Sequence, residues 1–239
     1  VGRPSTPLLS VDLIARATLR IIDTEGSDAV TMGRVATALG VHTSSLYNHV
    51  RNRAALVEEV RTLVTETIDS SAFHTFPWHE AVVRWARSYR AAFARHPRSV
   101  PLLMSVPVRA PRVLSMYEDF TVALRRDGWP DEEIVVVLTA VESFILGSVL
   151  DMTGPPAMFD PAAHAAEFPA FTEVIATLES SATGVPTTDR AFELGLDALI
   201  RGLRAQRRAL PQTARRTDRI TRDGTRRKDA RDHGEHRSR

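Results

Sequence analysis

Three features of the 239-residue chain predict an all-α fold. Apolar residues recur at three- and four-residue intervals, capping residues bracket those runs, and no strand alternation, hairpin signal or repeat period competes with them. Ser10 precedes VDLIARATLRIIDTEG, in which Leu13 or Ile14, Ala17 and Ile21 fall at helical spacing, Asp12 occupies the first turn and Gly26 ends the run. Thr31 caps MGRVATALG, whose Val35, Ala36 and Leu39 form a stripe stopped by Gly40. The next segment, VHTSSLYNHV, is short and polar, with Leu46 and Val50 as its clear inward pair. Asn52 caps a longer helix, RAALVEEVRTLVTETIDS, with Leu56, Val60, Leu63 and Val64 in register.

After a break at FHTFP, Pro77 opens WHEAVVRWARSYRAAFARH and Pro97 closes it; RSVPLLMSV is a short further piece. Pro111 opens RVLSMYEDFTVALRRDG, which Gly128 ends. Asp131, Glu132 and Glu133 put acids at the positive end of IVVVLTAVESFILGSVLDM, and Thr188 or Asp189 begins RAFELGLDALIRGLRAQRRAL, with arginines at its negative end. Residues 154–186 are broken by proline and hold one helix, in FTEVIATLES.

Composition narrows the function. With 43% hydrophobic and 25% charged residues there is ample material for a core. The absence of cysteine excludes disulfides, thiolate metal sites and cysteine nucleophiles, and fits a reducing cytoplasm. The N-terminus lacks the pattern of a signal peptide, and the most apolar run, residues 134–150, is short for a bilayer and carries Glu142, so neither export nor a membrane span is expected. The net charge of +2 conceals an asymmetry. Residues 211–239 hold 10 Lys+Arg against 5 Asp+Glu, leaving 21 against 24 for the rest. Almost without aliphatic or aromatic residues, that basic tail is expected to be disordered, with nonspecific attraction to nucleic acid as its functional reading.

Two short helices separated by GVH have helix-turn-helix spacing. Gly40 permits a left-handed turn, Val41 plugs the core, and Leu46 and Val50 hold the second helix against the first. A recognition helix must be polar where an ordinary core helix is not, because its free face enters the major groove. Thr43, Ser44 and Ser45 can bond base edges, Tyr47 and His49 can reach phosphates, and Arg51 and Arg53 supply charge.

The stretch VTMGRVATALGVHTSSLYNHVRNRAALVEEV, through VATALGV, SLYNHV and NRAALV, resembles the N-terminal DNA-binding domain of the tetracycline-repressor (TetR) family of bacterial transcription regulators, over about residues 8–62. WARSYRAAFARHPRSVPLL, LTAVESFILGSVLD and FELGLDALIRGL are similar, more weakly, to the C-terminal domain of its tetracycline-binding members. The resemblance implies an N-terminal three-helix helix-turn-helix domain, residues 1–55, a connecting helix and linker, 56–76, and a C-terminal ligand-binding and dimerisation domain, 77–210, before the tail. It also implies that Thr31 caps the second helix and contacts phosphate, that Thr43, Ser44 and Ser45 face bases, and that Tyr47, His49 and Arg53 clamp the DNA backbone. Two departures stand out. Gly33 replaces a guanine-reading arginine, with Arg34 beside it, and Thr43 replaces a base-reading glutamine, so the operator must differ and Asn48 and Arg34 become candidate readers.

One helix-turn-helix reads only a few base pairs, so a homodimer on a palindromic, double-stranded operator is expected. The resemblance implies a four-helix dimer bundle. Its seam is read here as Val141, Ile145 and Val149 from one helix with Phe192, Gly195, Leu196, Leu199 and Leu203 from another. For a small-molecule effector, Trp85, Tyr89, Phe93, Leu103, Met104, Met116, Tyr117 and Phe120 suggest a largely apolar cavity. The chelate-binding asparagine and histidine of the tetracycline-responsive members are replaced by Trp85 and Leu103, which argues against a magnesium–tetracycline effector. Enzyme motifs, a P-loop and a dinucleotide fingerprint are absent, and His164 with Glu167 is too small a set for a metal, so no cofactor, metal or catalysis is expected. The reading is a ligand-released repressor; the competing one is a helical small-molecule-binding or adaptor protein with a vestigial helix-turn-helix.

Overall fold

The computed structural model describes residues 9–155, 158–180 and 184–210. The basic tail lies outside the described residues. Eleven α-helices are found among those described. The first is α1 (Val11–Glu25), capped by Ser10, whose hydroxyl accepts from the Leu13 N–H at 3.2 Å. Then come α2 (Met32–Leu39), α3 (Thr43–Tyr47) and α4 (Arg53–Thr65), the last capped by the Asn52 side chain, which accepts from the Ala55 N–H at 2.9 Å. α4 packs along α1, with its Leu56, Val57, Val60 and Val64 all buried, and continues from this unit to the helices of the second.

α4 stops at Thr65, earlier than its apolar pattern suggests. Ile68 turns inward, and Asp69 accepts from the Ser71 N–H at 2.8 Å, a local bond that competes with helix continuation. The turn delivers Phe73, on the four-residue α5 (Ala72–Thr75), into the core beside Trp85 and Phe120. From sequence alone this segment reads as a simple break.

The second unit is built on α6 (Trp78–Ala94), which touches α4, α5, α8, α9 and α11. α7 (Val100–Met104) is one turn and a half; α8 (Pro111–Arg126) begins with proline at its first position and ends before Gly128, at φ 82°. α9 (Asp131–Leu150) and α11 (Thr187–Ala209) lie against one another and against α6. By length and composition, Asp131–Thr153 is apolar enough to cross a bilayer. In the fold its inward residues Ile134, Val137, Val141, Ile145 and Val149 are core. α10 (Pro169–Ser180) contributes no buried residue.

Candidate nucleic-acid interface and effector domain

The reading head is assembled by local chemistry. The Thr31 hydroxyl accepts from the Arg34 N–H at 3.0 Å and starts α2; Gly40, at φ 66°, stops it and turns the chain into α3. Leu46 is fully buried and Val50 nearly so, which fixes the rotation of α3. Burying a leucine is worth about 1.5–3 kcal/mol, enough to orient a five-residue helix that could not persist alone. With that face inward, Ser44, Tyr47, Asn48 and His49 are exposed, Thr43 and Ser45 are half-buried at its flank, and Arg51 and Arg53 follow in the open. α3 is shorter than the polar segment suggested: Asn48 is its C-cap and His49 lies in the turn beyond.

Two predicted contacts are already engaged. Arg34 forms an ion pair with Glu25, its Nε donating at 3.0 Å, and the guanidinium holds the Glu25 carboxyl below the usual carboxylate range. Arg53 Nε donates to the Val30 carbonyl at 3.4 Å, which ties the start of α4 to the residue before the Thr31 cap of α2. Gly33 is exposed, and a Cβ there would meet nothing within 4 Å.

The reading head is tied to the second unit by a pair that the sequence analysis missed. Arg61 of α4, 3% exposed, donates through Nη2 to the carbonyls of Leu103 at 2.6 Å and Val106 at 3.0 Å, and through Nε to Glu58 at 2.9 Å. The second Glu58 oxygen accepts from the backbone N–H groups of Arg109 and Ala110, both at 2.7 Å. One acid–base pair therefore caps the carboxyl end of α7 and the amino end of α8 together, where the helix dipoles favour a cation and an anion respectively. A single i,i+3 Glu/Arg pair on a helix looks like surface, and no sequence signal marks it as buried. His96 adds a further tie, its Nδ1 lying 2.9 Å from an Asp23 carboxylate oxygen of α1.

Of the eight pocket residues, Trp85, Tyr89, Phe93, Leu103, Met116 and Phe120 are buried and Tyr117 is half-buried, whereas Met104 is 51% exposed at the end of α7. Met104 is therefore not part of an interior cavity. Trp85 sits 5.3 Å from Tyr89 and 5.5 Å from Phe120, and Tyr89 stacks on Phe93 at 5.0 Å, so these rings pack against each other. A cavity of about 410 Å³ lies instead between the end of α4 and the start of α8, and of the eight residues Met116 alone is on its wall. Glu142, absent from the predicted set, meets this cluster: its Oε1 accepts from the Tyr117 hydroxyl at 2.7 Å, and burial raises its carboxyl above the usual range. Burial and the Glu142 charge push the Tyr89 and Tyr117 phenols up. The signal was visible as the lone charge in an apolar run.

The predicted dimer residues need correction. Val141, Ile145, Val149, Phe192, Leu196 and Leu203 are buried within their own subunit, Leu199 is half-buried, and a Cβ on Gly195 would strike the Phe144 ring at 2.6 Å. They form the contact of α9 with α11 and α6. The opposite face of α9, Val135, Val136, Thr139, Ala140, Ser143, Gly147 and Leu150, is exposed, as is a strip of α11 formed by Ala191, Leu194, Ala198, Gly202 and Ala205.

His164 Nδ1 lies 3.2 Å from Glu167 at the surface, and among the described residues no three His, Asp or Glu side chains are grouped to hold a metal.

A buried-backed polar helix after a left-handed glycine turn, carried by a larger helical unit, defines a helix-turn-helix DNA-binding protein with a second domain. The chain belongs to the TetR family of bacterial regulatory proteins. The family model described as "Bacterial regulatory proteins, tetR family" matches residues 14–60, and that of the "Tetracyclin repressor-like, C-terminal domain" matches residues 75–207. It is 28% identical to the HTH-type transcriptional repressor DrrR1 of Streptomyces coeruleorubidus over 62% of this chain and 55% of that protein. It is 26% identical to the class E tetracycline repressor protein of Escherichia coli over 83% and 92% of the two chains. The match to DrrR1 thus spans little more than half of that relative. Apo ActR from Streptomyces coelicolor superposes with a TM-score of 0.68 at 27% identity, covering 87% of this chain and 98% of that one; ActR in complex with actinorhodin gives 0.66 at 26%, covering 84% and 99%.

Proposed function

We propose that the chain is a cytoplasmic, homodimeric repressor released from a palindromic operator when a small, largely apolar molecule binds its C-terminal domain. The observation that carries this is the Glu58–Arg61 clasp, which ties the helix leaving the reading head to both ends of the α7–α8 connection. A ligand that moves α7 or α8 has to move α4 and the recognition helix with it. Coupling is limited to the difference in ligand affinity between the DNA-competent and released states. ActR supports a small-molecule ligand for this chain, since it has been solved in complex with actinorhodin and with (S)-DNPA.

On DNA, Thr43, Ser44, Ser45 and Asn48 face base edges, while Thr31, Tyr47, His49 and Arg53 hold phosphates. Arg34 reaches a base only by leaving Glu25. The domains divide at 1–55, 56–76 and 77–210. Dimerisation uses the outward faces of α9 and α11, where Gly147 and Gly202 have open space beside them that would let helices approach closely.

The test is a fluorescence-anisotropy titration against the DNA flanking the chain's own gene. Salt-sensitive binding that Tyr47→Ala weakens supports the regulator. Absence of binding to every duplex tried favours the adaptor reading instead.

A further inference from the structure

The linker between α7 and α8, residues 105–110, comes up against α4 at the Glu58–Arg61 clasp. Glu58 accepts from the Arg109 backbone N–H at 2.7 Å, so the clasp holds the main chain and leaves the Arg109 side chain exposed. Pro107 and Pro111 stand on either side, and their fixed φ angles restrict where residue 109 can go. A groove of about 340 Å³ lies between α4 and this linker and reaches back to the turn before α4, with Arg51 and Arg109 both on its wall. Arg51 belongs to the reading head, directly after the exposed Asn48 and His49; Arg109 belongs to the second unit. Among the described residues no ion pair takes in either guanidinium. Two carboxylates also line the groove: Glu58 is balanced by Arg61, and the half-buried Glu59 is left to offset two arginines. The groove is therefore net positive and continuous with the face that carries α3. Glu58 lies five residues beyond Arg53, a rise of about 7.5 Å along α4, which is a span comparable to one extended arginine side chain.

We propose that Arg109 holds a phosphate of the DNA backbone just outside the half-site that α3 meets, with Arg51 on the same groove, so that the C-terminal unit touches the operator itself. A phosphate contact positions the protein and adds salt-dependent affinity without carrying sequence information. It also gives the effector unit a second hold on DNA: a shift of the α7–α8 linker withdraws Arg109 from its phosphate as well as moving α4. The inference rests on the reading that α3 meets the operator, and it adds a contact from the other domain.

The test is a fluorescence-anisotropy titration of the full chain, as wild type and as Arg109→Gln, on the palindromic duplex that the wild type selects from a random pool. Two lengths are used, one ending at the outer edges of the half-sites and one extended by about one helical turn on each side. Arg109→Gln removes the charge and keeps the backbone N–H that Glu58 binds, so the clasp stays intact. Each phosphate contributes about 0.9 to the slope of log affinity against log salt, so a dimer that loses two should lose about 1.8. Between about 50 and 200 mM salt the wild type should fall about tenfold further than Arg109→Gln on the long duplex, and equally far on the short one. The selected sequence should not change. Arg112→Gln makes the same charge change three residues on, where the guanidinium is bonded to the Glu66 carbonyl, and should keep the wild-type slope. An Arg109→Gln protein with the wild-type slope, an Arg112→Gln protein that loses as much, or a difference that persists on the short duplex overturns the inference. The reading beneath it fails separately: a wild type that enriches no duplex removes α3 as the reader and the inference with it, whereas normal enrichment with an unchanged Arg109→Gln slope removes only the C-terminal contact.

Discussion

Truncating Glu58 removes one carboxylate and leaves three groups stranded. In Glu58→Ala the Arg61 guanidinium stays at a site where it is 3% exposed but loses its acidic partner, and the Arg109 and Ala110 N–H groups at the head of α8 lose their acceptor. Breaking a buried ion pair from one side costs about 3–5 kcal/mol. Glu58 itself is 16% exposed, and water can reach the vacated amides, so the loss should fall near 3 kcal/mol. That is a large share of the roughly 5–15 kcal/mol that holds a domain together. Urea unfolding followed by far-UV circular dichroism, at one fixed protomer concentration, measures it. Arg61→Met in the Glu58→Ala background should recover part of the loss, since the uncompensated charge is then gone. A Glu58→Ala cost below about 0.5 kcal/mol, the level of an ordinary surface change, would refute the clasp as a structural tie.

Two further outcomes follow from other parts of the fold. Gly202→Glu places a charge on the exposed strip of α11, where an added Cβ meets nothing within 4 Å, so it should leave the subunit folded and convert dimer to monomer in sedimentation equilibrium; an unchanged dimer would put the seam elsewhere. Glu142 has a folded-state pKa above its unfolded value, so from the ordinary carboxylate range upward the native protein binds more protons than the unfolded chain and loses stability as pH rises through that window. Glu142→Gln should therefore match the wild type near about pH 4 and exceed it at neutrality in thermal melts, with parallel pH profiles as the contrary result.

Where structure is set by neighbours in sequence, the chain could be read directly. Ser10, Thr31 and Asn52 cap as their residue types demand, Gly40 takes the left-handed turn, and Leu46 with Val50 leaves the polar residues of α3 outward. What tertiary contacts decide could not be read the same way. α9 is apolar on both sides, so periodicity does not say which stripe faces α6 and which is left exposed. Aromatic residues on α6 and α8 were visible as a group, but whether they line a cavity or fill one depends on helix spacing. Glu58 and Arg61 look like a solvated pair until the α7–α8 connection arrives beside them, 42 to 52 residues further along the chain.

The central claim is that α3, presented twice by a dimer, reads a twofold DNA site. Selection of duplexes from a random pool by the wild-type protein, repeated with Ser44→Ala, tests it most directly. The account predicts a palindromic consensus whose half-sites lie about one helical turn apart or a multiple of it, with relaxed preference within each half-site for the variant. A pool without enrichment, or an enriched site lacking twofold symmetry that Ser44→Ala selects unchanged, would contradict it.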